Sequence, residues 1–167
     1  MPTVYILQGL PGSGKSTWVT RMGTLDPYVV SADDYFMVDV DGGKRQEYRF
    51  DPSKIGLAHE QCMERFAAAI VRQAALRFPV VVVDNTNTTC VEMAPYYLLA
   101  RSQGYDVFFV RFPCDPEVAA VRNTHGAPLA TCQAMAAAME EPKPYWTGRC
   151  ITVSSASAAY QPTETTG

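Results

Sequence analysis

Short apolar runs alternate with amphipathic stretches along this chain. Thr3 to Leu7 is apolar and β-branched, which predicts a buried strand, and Tyr28 to Ser31 reads as a second. Pro79 to Val83 is a continuous β-branched run, the mark of a central parallel strand covered on both faces. Tyr105 to Phe112 and Cys150 to Ser154 complete the strand set. Between them lie helical patterns. Lys15 to Met22 predicts a helix ended near Gly23. Asp51 can cap a helix with Pro52 in its first position, and Ile55, Ala58, Cys62, Phe66, Ala69 and Ile70 then form one apolar face, with an end expected near Phe78. Glu92 to Ser102 predicts a helix stopped at Gly104, with Pro95 in its first turns or at a kink. Asp115 to Arg122 and Pro128 to Glu140 predict two more. Ala32 to Arg49 shows no clear period and reads as a long loop, and Ser154 to Gly167 reads as a disordered tail. The alternation of strands and helices predicts an α/β domain over residues 1–153, with a parallel sheet of about five strands and helices on both faces, followed by the tail at 154–167.

Composition narrows the class. The 167 residues suit one domain, and 47% hydrophobic against 19% charged residues excludes a disordered chain. The formal charge of -3 argues against a grip on nucleic acid by bulk electrostatics, so any such contact must rest on a local patch. The five cysteines are odd in number, widely spaced and without a C-x-x-C pair, which fits free thiols in a reducing compartment better than zinc or a disulfide framework. No apolar stretch approaches the ~18 residues of a membrane span, and the N-terminus lacks a leader pattern. A cytoplasmic protein without membrane contact is expected.

Candidate chemistry begins at Gly9-Leu10-Pro11-Gly12-Ser13-Gly14-Lys15-Ser16, which fits G-x-x-x-x-G-K-[ST] at every fixed position, with Thr17 following. Such a loop turns main-chain N–H groups toward phosphate oxygens, a curvature that needs residues without a Cβ, here Gly12 and Gly14. The helix that begins near Lys15 adds the positive end of its dipole. Lys15 is placed to reach the β- and γ-phosphates of ATP, and Ser16 to ligate magnesium. The predicted strand before and helix after supply the expected context.

The carboxylates come next. Asp33 and Asp34 follow the second predicted strand at its carboxyl end, where parallel α/β folds bind ligands. One of them can accept the proton of an attacking hydroxyl, or the pair can simply cap or solvate a loop. Asp84 ends the run Val80 to Val83, where an acid contacts magnesium in phosphate-loop enzymes, and Asn85, Thr86 and Asn87 after it can line the site. Lys44, Arg45, Arg49 and Lys54 can dock acceptor phosphates, and Tyr35, Phe36, Tyr48 and Phe50 can stack a base; the same residues also read as a solvated loop with aromatics packed on the domain. His59 reads as a packing residue. His125 has no carboxylate neighbour in sequence and reads as a residue with a possible phosphate contact.

Taken in order, Gly9 to Thr17, Asp33-Asp34-Tyr35-Phe36, Tyr48-x-Phe50-x-Pro52, Ala58-His59, Asp84-Asn85-Thr86-Asn87, Glu92-Met93-x-Pro95-Tyr96 and Arg122-Asn123-x-His125-Gly126 resemble the polynucleotide-kinase-like P-loop kinases. The likeness spans about residues 3 to 140 and is strongest to the small NEDD4-binding-protein-like branch and to the kinase domain of bacteriophage polynucleotide kinase. It implies Asp33 as general base on the acceptor hydroxyl, and Arg122 as a lid arginine on the transferred phosphoryl group. Without it, Arg122 would read as a helix-end cation. One departure is Phe36, which stands where the bacteriophage enzyme has an acceptor-holding arginine. The reading is therefore an ATP- and Mg2+-dependent kinase acting on nucleic acid, with DNA favoured. The acceptor is a 5′-hydroxyl end or a hydroxymethyl group of a modified base such as 5-hydroxymethyluracil. Asp34, Tyr35, Arg45, Arg49 and Asn87 are candidate acceptor contacts. A small-molecule or nucleoside kinase and a non-catalytic nucleotide-binding module stand as alternatives.

Overall fold

The computed structural model describes residues 1–71 and 78–154. The tail expected from residue 154 onward therefore lies almost wholly outside the described residues, as do most of the residues proposed to end the long helix near Phe78. Twelve elements follow in order: β1 (Thr3–Gln8), α1 (Lys15–Arg21), β2 (Tyr28–Val30), β3 (Met37–Val40), β4 (Arg45–Tyr48), α2 (Ile55–Ile70), β5 (Val80–Val83), α3 (Cys90–Ser102), β6 (Asp106–Arg111), α4 (Pro116–Arg122), α5 (Leu129–Ala138) and β7 (Arg149–Thr152).

Five strands form one sheet in the order β2-β5-β1-β6-β7, every neighbouring pair parallel, with β1 at the centre. The two-residue alternation of side chains explains why the strands are apolar throughout. Val4 and Ile6 of β1, Val81 and Val83 of β5, and Val107 and Phe109 of β6 face α2 and α3 in the larger core, with Phe66, Met93, Tyr96 and Tyr97. Leu7, Val82 and Val110 point the other way, onto Trp18 and Met22 beside α1. That second face is thinner, and Tyr5, Val29, Val80, Phe108 and Ile151 are only partly buried there. A third cluster, Leu10, Ala119 and Cys132, seats α4 and α5 beside the loop after β1.

The expected long loop at 32–49 is instead structured. Ala32–Phe36 is a 3-10 turn, and Met37–Val40 pairs antiparallel with Arg45–Tyr48 as a hairpin. The pattern was invisible because both strands are largely exposed and carry no buried period. Asp51 caps a 3-10 turn at Pro52–Lys54, and α2 starts from it. α3 begins at Cys90, two residues before the expected start, with Thr89 forming a capping box to Glu92, and Pro95 lies inside that helix. Among the described residues no helix is long and apolar enough to cross a membrane.

Candidate active site

β1 delivers the chain into the glycine-rich turn, and α1 leaves it at Lys15. Gly12 and Gly14 adopt φ values of 80° and 101°, the left-handed region that a side chain disfavours. A Cβ on Gly12 would also lie 2.5 Å from the Ala119 carbonyl oxygen and 2.7 Å from the Asn123 nitrogen, so the turn touches the end of α4. Lys15 is only 8% exposed, and its Nζ donates to the carbonyls of Gly9 at 2.8 Å and Leu10 at 2.9 Å. Burial pulls its pKa below the ordinary lysine range, with Asp84 and then Asp33 opposing the shift. The buried Ser13 hydroxyl borders the same cleft and has no hydrogen-bond partner among the described residues. An orphaned donor beside a ring of left-handed glycines fits an incoming phosphate oxygen.

Ser16 Oγ donates to Asp84 Oδ2 at 2.9 Å, bringing together the two residues proposed as magnesium ligands. Burial raises the Asp84 pKa, and the nearby Lys15 ammonium counteracts it. One hydroxyl and one carboxylate are hard oxygen donors of the kind magnesium accepts, and such an ion takes its remaining ligands from phosphate and water.

Asp33 sits on the 3-10 turn after β2. Ser31 caps that turn by accepting from the Asp33 amide at 3.2 Å, and Asn85 Oδ1 accepts from the Ala32 amide at 2.8 Å. Asn85 thus fastens the turn to the end of β5. The two acids the sequence left unresolved part company here. Asp34 is paired with Arg65 of α2, whereas Asp33 accepts from Tyr48 Oη at 3.0 Å and lies 3.2 Å from His125 Nδ1. His125 stacks on Tyr48 with ring centroids 4.2 Å apart. Arg122 ends α4, and residues 123–127 turn back toward α5. Asn123 Nδ2 donates to Ala119, Ala120 and Ala127 carbonyls, and its Oδ1 accepts from the Ala127 amide. Lys15, Ser16, Asp33, Asp34, Asp84, Arg122 and His125 all border one open cleft, which continues along the α1 side of the sheet past Tyr5, Phe108 and Arg149 and has a volume of about 2310 Å³ in all.

Four acceptor candidates are placed elsewhere. Asn87 is 2% exposed, and its Nδ2 donates to the Leu7 carbonyl at 2.6 Å, so it braces β1 and does not line the cleft. Tyr35 packs edge-on against Phe36 and the larger core. Arg45 lies 3.9 Å from Asp41, and Arg49 donates to Glu47 at 2.7 Å. Strand alternation turns Gln46 and Tyr48 to the cleft and leaves Arg45 off it. His59, read as packing, is exposed on α2 and borders the cleft. Three roles escaped sequence reasoning: the His125 and Tyr48 contacts to Asp33, the Asn85 anchor, and the Arg65 pairing. Each joins residues far apart in sequence, so no local spacing could signal it.

A family model described as AAA domain matches residues 4–142. Human (Homo sapiens) NEDD4-binding protein 2 is 33% identical over 129 residues, which is 74% of this chain and 7% of that protein. The chain spans only 7% to 11% of the length of the curated relatives it matches. Among solved structures, a gluconokinase from Sinorhizobium meliloti 1021 superposes with a TM-score of 0.58 at 18% identity, covering 93% of this chain and 83% of that one. A chain of a Pnkp1/Rnl/Hen1 complex superposes with a TM-score of 0.51 at 21% identity, covering 72% and 38%. At such identities these likenesses establish a shared fold, the parallel five-stranded P-loop kinase-like sheet. Because the matched span holds the phosphate loop, Asp33, Asp84 and the turn after α4, the chain belongs to the AAA domain family, with its P-loop set in a kinase-like fold.

Proposed function

We propose that this protein transfers the γ-phosphoryl group of ATP to a hydroxyl, with nucleic acid, DNA first, as the acceptor class. The observation that carries the reading is Asp33, held at the carboxyl edge of the sheet in the same cleft as Lys15 and Arg122. The acceptor oxygen attacks the γ-phosphorus, the bond to the β,γ-bridging oxygen breaks, and ADP leaves. Asp33 takes the hydroxyl proton. Lys15 leaves the Gly9 and Leu10 carbonyls to meet the phosphates. Arg122, at the end of α4 and exposed to the cleft, answers charge spread over the transferred oxygens, a task worth ~10³-fold or more in rate. Ser16 and Asp84 would hold a magnesium ion, which would supply neutralisation of phosphate charge. The ordered motif set shared with polynucleotide-kinase-like enzymes supports the polymer acceptor, as either a 5′-hydroxyl end or a hydroxymethylated base. Reaching a base within a duplex requires extruding it.

A second reading has its own support. Arg45 and Arg49 are engaged by acids, while Phe36, Tyr48 and Phe50 form an aromatic wall beside Asp33. That wall suits a nucleoside or another small molecule with a flat ring. Labelled ATP and magnesium with 5′-hydroxyl DNA and RNA, hydroxymethyl-containing DNA and nucleosides separate the readings. Label on a polymer supports the first, and label confined to nucleosides supports the second. Asp33→Asn is expected to cut transfer steeply and leave ATP affinity nearly intact. Equal loss of both would reject Asp33 as the base, and tight ATP binding with no transfer at all would leave a nucleotide-binding module.

A further inference from the structure

We infer that Tyr48 and His125 are positioning residues for Asp33, and that their shared contact docks the turn after α4 onto the β3–β4 hairpin. The kinetic half of this inference rests on the phosphotransfer reading, whereas the docking half stands on geometry alone.

Three elements meet at one carboxylate. Tyr48, at the end of β4, donates to Asp33 Oδ1 at 3.0 Å. His125, beyond α4, sets Nδ1 3.2 Å from Asp33 Oδ2. The two rings lie face to face, 4.2 Å between centroids and 15° from parallel. A terminal carboxylate torsion is broad and nearly two-fold, so an unsupported Asp33 would sample many orientations. A donor on Oδ1 and an imidazole set against Oδ2 restrict that freedom. The support leaves room for chemistry, because a carboxylate offers about four lone-pair sites and the Tyr48 hydrogen bond uses one. An acceptor hydroxyl can approach either oxygen while both supports stay in place. Tyr48 holds its end as a neutral donor, since burial and the Asp33 charge push its phenol pKa well above the ordinary tyrosine value. Phe36 packs edge-on against the Tyr48 ring and fixes its plane.

The same contact reaches Arg122. Asn123 ties the carbonyls of Ala119, Ala120 and Ala127 together and binds the Ala127 amide, so the turn is braced to the end of α4 that carries Arg122. Docking His125 on Tyr48 and Asp33 therefore sets where Arg122 stands over the cleft. The base on the acceptor side and the arginine on the phosphate side are located by one joint.

The test uses the whole chain carrying His125→Ala, His125→Asn or Tyr48→Phe. It reads hydrogen exchange of residues 123–127, ATP affinity and steady-state transfer. His125→Ala should speed exchange of the turn and lower kcat on the order of 10-fold to 10²-fold, the scale of a small misplacement of reacting groups. ATP affinity should change little. His125→Asn, which keeps a polar side chain able to meet the Asp33 carboxylate, should recover part of kcat. Tyr48→Phe keeps the stack and should leave exchange near wild type while lowering kcat. Unaltered exchange in His125→Ala overturns the docking. Unaltered kcat, or a lower acceptor KM at constant kcat, overturns the positioning role, the latter showing that His125 merely obstructs the acceptor. If the wild-type protein transfers phosphate to nothing, the phosphotransfer reading and the positioning role fall together, and exchange still decides the docking.

Discussion

Ser16 and Asp84 are joined by a 2.9 Å hydrogen bond between the first turn of α1 and the end of β5. The two residues proposed to hold magnesium thus stand side by side. Replacing the carboxylate should uncouple metal from nucleotide. In Asp84→Asn, added magnesium is expected to raise ATP affinity at least about tenfold less than in the wild type, by analogy with the cost of disturbing a metal's supporting ligands. Titration calorimetry with and without magnesium checks this, and an undiminished metal effect would remove Asp84 from the ligand set.

Gly12 joins the phosphate loop to α4. Its left-handed φ of 80° and the 2.5 Å that a Cβ would leave to the Ala119 oxygen make Gly12→Ala costly twice over. Backbone strain of this kind costs ~1–3 kcal/mol. Thermal denaturation without nucleotide should show the loss, and transfer should fall further because α4, carrying Arg122, is pushed away. A variant with wild-type stability and activity would mean that the loop and α4 separate freely.

Asn123 braces the turn from within. Asn123→Ala removes the partner of the Ala127 amide and the side-chain donor to three carbonyls, of which Ala119 keeps the main-chain N–H of residue 123. A buried group left unpaired costs ~1–3 kcal/mol, and part-burial here places the expected loss toward the lower end. Amide exchange at Ala127 should accelerate while the sheet strands keep their protection. Acceleration spread evenly over the fold would show that the turn is not an independent unit.

Tyr48 predicts a spectroscopic signature. Its folded-state pKa is raised, first by burial and then by the Asp33 charge and hydrogen bond. An unfolded tyrosine ionises near pH ~10, so below that pH both states hold the proton and stability is unaffected. As pH rises past it, the unfolded chain releases a proton that the folded state retains, and this residue's contribution to stability falls. Absorbance titration of phenolate should therefore give identical curves for wild type and Tyr48→Phe up to about pH 11, where ordinary tyrosines are already ionised. A wild-type excess near pH ~10 would show that the Tyr48 environment is polar and open.

Much of the architecture was legible because burial writes a period into sequence. Val80 to Val83 has no polar position since both sheet faces are covered, and the Gly12-Ser13-Gly14-Lys15 turn is constrained at nearly every residue by its curvature. The β3–β4 hairpin was not legible, since Met37 to Val40 and Arg45 to Tyr48 are exposed and held by main-chain pairing. Within the site, identity of the residues near the phosphate loop could be read, but partnership could not. Which of the two acids is paired with an arginine depended on Arg65, 31 positions from Asp34. Asn87 looked like its neighbour Asn85, yet a left-handed backbone at φ 45° turns its amide into β1.

The ammonium of Lys15 already rests on two carbonyls of its own loop. A triphosphate arriving there swaps one set of partners for another and does not satisfy a bare charge. On the phosphotransfer reading, the gain on binding is a difference between two paired arrangements of a buried ammonium, which tempers tightness. The same reading makes a diphosphate product easier to release, because the loop would regain its own contacts as it departs.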